Sequence, residues 1–129
     1  MGGAWVAAGI SGLLFGLMHA GNAGANPAGL IITAANGVLL AMLAVRTGSL
    51  WLACWYHAGW NLVAALGFGM RDSGMLSPGA LFSTELKGPT LLTGGSYGFE
   101  ASLVSYFVEA VILVLLLVFA PRWAGDPEG

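Results

Sequence analysis

The 129-residue sequence predicts an all-α protein, a multi-pass transmembrane helical bundle with four spans and one long interfacial loop. Three observations lead there. Hydrophobic residues make up 57% of the chain and charged residues 8%, with a mean hydropathy of +0.83, whereas a soluble domain carries roughly 25% charged residues. Four apolar runs, at about 4–20, 28–46, 49–70 and 101–120, approach the roughly 20 helical residues that cross a hydrocarbon core of about 30 Å. The links between the first three are short, which forces neighbouring spans to run antiparallel.

The first run opens at Ala4 and Trp5 with no positive charge before it, and "GLMHAGNAGANP" after it is a poor cleavage site, so it is expected to be a retained span rather than a signal peptide. "GNAGANP", 21–27, combines Asn, Gly and Pro as a turn, and "RTG", 46–48, is a tight polar link. Between 71 and 100, Gly, Pro, Ser and Thr interrupt short apolar pieces. That segment reads as an interfacial loop, long enough for part of it to fold back against the helices. The last run stops at Pro121, and Arg122 and Trp123 suit a membrane interface. Four spans place Arg46 and Arg122 on one side, and the excess of positive charge in the shortest link makes that side cytoplasmic. No internal repeat and no second domain is visible.

Composition also excludes functions. The cations Arg46, Arg71, Lys87 and Arg122 are scattered singly and the net charge is -2, so there is no basic stripe to neutralise phosphates and no nucleic-acid partner is expected. Cys54 is the single cysteine, which rules out an intrachain disulfide and a cysteine-based zinc site.

Both histidines of the chain, His19 in "FGLMHAGN" and His57 in "WYHAGWN", sit in apolar runs. Ionisable groups in hydrocarbon are costly and mark sites or pathways, so both are expected to face the bundle interior. Asn61 follows His57 by four residues, on the same helix face. The plain alternative is a pair that only joins helices, worth about 1 kcal/mol. Two neutral imidazoles and an amide suit the positioning of a water nucleophile, with or without a divalent metal such as zinc held by His19 and His57. For that chemistry the first and third spans must be neighbours. Gly12 and Gly16, at i and i+4, permit close helix approach beside them.

Glu109 is the one acid near the middle of a span. It is expected to be a helix-packing residue, with a role as substitute acid as the sharper alternative. Glu100 is expected to approach the N-terminus of the last helix, where its charge suits the dipole. Trp51 suits an interfacial belt, and Trp55, Tyr56 and Trp60 are expected to pack between helices.

"FGLMH" (Phe15 to His19) followed about forty residues later by "RTGSLWLACWYHAGWN" (Arg46 to Asn61) resembles the second and third motifs of the CAAX-protease and bacteriocin-processing (CPBP, or Abi) intramembrane protease family, Phe-x-x-x-His and His-x-x-x-amide. "LTGGSYGFEASL", 92–103, is similar to the loop before the last helix in some bacterial members. The resemblance implies a multi-pass protein of the bacterial cytoplasmic membrane that hydrolyses a peptide bond in a membrane-associated peptide or prenylated protein. It implies that His19 and His57 orient water or bind metal, that Asn61 donates to the oxyanion, and that Phe15 shapes the wall. The family's earlier motif, Glu-Glu-x-x-x-Arg, has no counterpart in 1–129. The chain therefore corresponds to the C-terminal part of such a domain, with little proteolysis expected of it alone. The alternative function is non-catalytic, as a bacteriocin-immunity or scaffold protein of the same fold.

Overall fold

The computed structural model describes residues 2–119. Its elements are helices: α1 (Gly2–Met18), α2 (Pro27–Thr47), α3 (Leu50–Asn61) continued by a π-helical segment (Leu62–Gly67), a single turn α4 (Thr90–Thr93), a 3-10 turn (Phe99–Ala101) and α5 (Leu103–Phe119). No strand is present among the described residues, only an isolated bridge between Asp72 and Met75. The all-α class holds. By length and composition α2 alone is long and apolar enough to cross a membrane, and α1 and α5 are shorter apolar helices. The four full-length spans expected are thus matched by one helix of that length. The third run divides because its hydrogen bonding widens after Asn61. The expected stop at Pro121 and the interfacial Arg122 and Trp123 lie outside the described residues.

Local chemistry sets the helix ends. Asn26 caps α2 by accepting from Gly29 N at 3.0 Å, and Pro27 opens the helix where its missing N–H costs nothing. Gly48, left-handed at φ 64°, closes it, with Arg46 in the last turn where a cation suits the dipole. Ser102 Oγ accepts from Ser105 N at 3.0 Å and so caps α5.

Small residues hold the helices together. α1 buries Ala8, Gly12 and Gly16, one residue per turn on one face, against α2. A Cβ added to Gly12 would come within 2.6 Å of Ala34 O, and one added to Gly37 within 2.9 Å of Gly12 Cα, so the two backbones touch only because both positions are glycine. α2 is the hub, packed on α1, α3 and α5. The expectation that the first and third spans are neighbours fails for the backbone: no Cα of α1 comes within 8 Å of α3. The two helices meet only through side chains, because α2 occupies the space between them.

Large side chains point outward instead. Ile31, Trp51, Trp55 and Phe107 are about 70% exposed, while the fully buried side chains include only two large aliphatic or aromatic groups on helices, Leu43 and Leu113. Trp55, expected to pack between helices, faces outward with Trp51. α3 has a single close neighbour and turns most of its surface away from it.

The loop folds back at both of its ends. Gly74 N donates to Tyr97 O, Phe99 N donates to Arg71 O at 3.3 Å, and Arg71 Nη1 donates to Gly74 O at 2.9 Å. Tyr97 is fully buried beneath this clasp. Gly98, at φ 123°, turns the chain where it crosses Arg71.

Candidate functional site

The fold gathers seven polar side chains and Phe15 around a cavity of about 20 Å³, lined by Phe15, His19, Thr33, Asn36, His57, Ser73, Glu100 and Glu109. That is room for a single water molecule. Two larger hollows in the loop have no histidine in their walls, whereas an apolar one of about 190 Å³ among α1, α2 and α3 is lined by Phe15 and His57.

Phe15 stands against both imidazoles. Its ring centroid is 4.6 Å from that of His19 and 5.3 Å, edge-on, from that of His57. The two histidine centroids are therefore within about 10 Å of each other, although His19 sits in the turn after α1 and His57 one turn from the end of α3. His19 Nδ1 lies 2.6 Å from Phe15 O. A carbonyl only accepts, so Nδ1 carries the proton and Nε2 keeps its lone pair for another partner. Asn61 Nδ2 approaches His57 Nε2 at 3.4 Å, the expected pairing one helical turn apart. Asn61 does not line the cavity; it reaches the site through His57.

Glu109 is 4% exposed on the buried stripe of α5 that also holds Ser105 and Leu113. Asn36, on α2, donates Nδ2 to its Oε2. The expectation of a simple packing residue is too narrow, because the carboxyl forms part of the cavity wall. Glu100 lies in the 3-10 turn directly ahead of α5. Ser102 provides the cap of α5, and Glu100 faces the cavity and accepts from Ser73 Oγ. Asp72 lies within hydrogen-bonding reach of Glu100, and burial, with this neighbour, pushes its carboxyl up to about 8 against the opposing influence of His57 and His19.

Asn36 and Ser73 escaped the sequence reading. Asn36 did carry a signal, a primary amide in the middle of an apolar span. Ser73 had none, since its place depends on the loop clasp. Among the described residues no three His, Cys, Asp or Glu side chains are grouped to hold a metal ion.

These features define an all-helical protein with an apolar exterior and a water-sized polar cavity bearing two histidines. Residues 1–63 match the family model described as type II CAAX prenyl endopeptidase Rce1-like, in agreement with the resemblance of the two histidine motifs, both of which lie in the matched stretch. No curated protein and no solved structure matches the chain.

Proposed function

We propose that the chain is an intramembrane endopeptidase of the CAAX prenyl protease type, embedded in a bacterial cytoplasmic membrane as four antiparallel segments and acting on a membrane-associated peptide or prenylated protein. By its motif content it represents the C-terminal part of such a domain. The observation that carries this reading is the cavity sized for one water between His19 and His57. The outward-facing Leu, Val, Phe and Trp side chains support embedding, because soluble proteins rarely expose apolar patches of such extent.

In this mechanism the His19 Nε2 lone pair accepts a hydrogen bond from the water and fixes its orientation, with Phe15 limiting where the imidazole turns. His57, held by Asn61, bounds the opposite side of the cavity. Asn61 acts through His57, whose ring it holds in place from outside the cavity. The other reading is a non-catalytic immunity or scaffold protein of the same fold.

Cleavage of a quenched, farnesylated peptide in proteoliposomes separates the two. Residues 1–129 alone are expected to show little or no hydrolysis, whereas the chain extended upstream through a helix bearing Glu-Glu-x-x-x-Arg is expected to cleave, with His57→Ala abolishing the activity. No hydrolysis by the extended chain, or hydrolysis indifferent to His57→Ala, overturns the peptidase in favour of the non-catalytic reading.

A further inference from the structure

Two hollows of opposite chemistry adjoin at the loop. One, of about 450 Å³, is walled by loop residues that include Arg71, Thr84, Glu85, Thr90 and Thr93. The other, of about 170 Å³, lies at the end of α3 and along the π-helical segment, among Trp60, Val63, Ala64 and Phe68. Met70 and Phe99 line both, so the two share a wall. Small-molecule sites span roughly 300–1,000 Å³ and combine an apolar lining with a few polar groups that fix orientation. Neither hollow contains His19, His57 or Asn61, and the peptidase reading uses neither.

Charge in the larger hollow is one-sided. Arg71 forms no ion pair among the described residues. Its Nη1 donates to a neutral carbonyl, Gly74 O, at 2.9 Å, and a guanidinium has further N–H groups to give. Glu85 has a cation of its own, Lys87 at 3.4 Å, and both side chains are at least 80% exposed. The wall thus offers a guanidinium with threonine hydroxyls around it, a set that suits phosphate oxygens. The smaller hollow has one polar feature. Trp60 Nε1 is buried without a hydrogen-bond partner, and an indole N–H only donates. Hydrocarbon alone leaves that donor unmet, whereas an acyl ester brings it a carbonyl oxygen.

We infer that the paired hollows bind one glycerophospholipid of the surrounding bilayer, with its phosphate at Arg71, an ester carbonyl at Trp60 Nε1 and the start of an acyl chain in the apolar hollow. The inference rests on the membrane embedding proposed above and not on the peptidase chemistry. Three features of the structure meet three parts of one molecule in the order in which that molecule carries them. Val63 and Phe68 are about half exposed, which leaves the apolar hollow open to a chain arriving from the bilayer. Binding also fastens the loop. Phe99 N donates to Arg71 O at 3.3 Å where the two ends of the loop clasp, and a ligand lying against both residues ties those ends together.

Native mass spectrometry of the full chain, titrated from detergent with dioleoylphosphatidylglycerol, dioleoylglycerol or glycerol phosphate, tests the site, and co-sedimentation with liposomes records the embedding separately. Wild type is expected to take up one phosphatidylglycerol, with dioleoylglycerol and glycerol phosphate each weaker by about tenfold or more, the worth of a hydrogen bond to a charged group. Arg71→Gln is expected to lose the preference over dioleoylglycerol, and Arg71→Lys to keep part of it. Trp60→Phe retains an aromatic wall without the N–H and is expected to weaken phosphatidylglycerol by roughly three- to tenfold. Ala64→Phe fills the apolar hollow and is expected to abolish one-to-one binding. Because Arg71 also serves the clasp, the Trp60 and Ala64 variants decide the matter should Arg71→Gln not fold. Equal affinity for phosphatidylglycerol and dioleoylglycerol overturns recognition of the phosphate. Glycerol phosphate bound as tightly as the lipid overturns the role of the apolar hollow. Several phospholipids per chain, unchanged by Trp60→Phe and Ala64→Phe, are an unspecific shell and overturn the site while the embedding stands. A chain that neither sediments with liposomes nor binds phospholipid overturns the embedding and this inference together.

Discussion

Asn36 on α2 donates its side-chain amide to the Glu109 carboxyl on α5, joining positions 73 residues apart across the interior of the bundle. The bond has an energetic signature separate from any catalysis. Asn36→Leu leaves a buried carboxyl without its donor and is expected to destabilise the fold by about 1–3 kcal/mol. The double variant Asn36→Leu with Glu109→Leu removes both polar groups and is expected to recover most of that loss. Unfolding in detergent, followed by circular dichroism, measures both.

Helix contact predicts a contrast between two glycines of α1. Gly12 lies against Ala34 O and Val38, whereas nothing approaches within 4 Å of a Cβ placed on Gly9. Gly12→Leu is expected to destabilise by roughly 1–3 kcal/mol through overpacking, and Gly9→Leu to leave the unfolding midpoint within error. Equal effects would contradict the backbone contact between α1 and α2.

Asp72 makes stability depend on pH in a defined direction. Its carboxyl is raised from 3.8 to about 8 in the folded chain, so the native state binds the proton more tightly than the unfolded one. The stabilisation from that proton is complete below about 4 and is lost as pH rises towards 8. Asp72→Asn is expected to flatten the profile over that window and to raise the melting temperature at pH 8 by on the order of 5 °C. Thermal scans of both proteins from pH 4 to pH 9 check the sign.

Phe15 separates and orients the imidazoles, so Phe15→Ala is expected to lower turnover by up to about 10²-fold while both histidines remain. Phe15→Tyr keeps the ring and is expected to retain most activity. The readout is the same peptide assay, with ring mobility of His19 and His57 followed by NMR in micelles.

Several of these relationships could be read from the residues alone. His19 and His57 stood out because imidazole is expensive in an apolar run, and Gly12 and Gly16 because small residues one turn apart mark a contact face. The apolar runs located the helices to within a few residues. Hydropathy says nothing of hydrogen-bond pitch, so the change from α to π after Asn61 was invisible. It also assigns neighbours poorly: the edge-on contact of Phe15 with His57 brings α1 to α3 while their backbones remain apart. Glu100 and Ser73 belong to the site only because the loop clasps itself at Gly74 and Tyr97, a long-range pairing with no local sequence signature.

The glycine contact between α1 and α2 also has a mechanical side. Backbone seated on backbone leaves no flexible side chains between the two helices to absorb a shift, so α1 and α2 form one stiff hairpin. That hairpin carries Phe15, Thr33 and Asn36, with His19 in its turn, while His57, Ser73, Glu100 and Glu109 ride on the other half of the molecule. The cavity is thus walled on one side by a stiff hairpin and on the others by elements that α2 holds separately, since α3 and α5 each pack on α2 and not on one another.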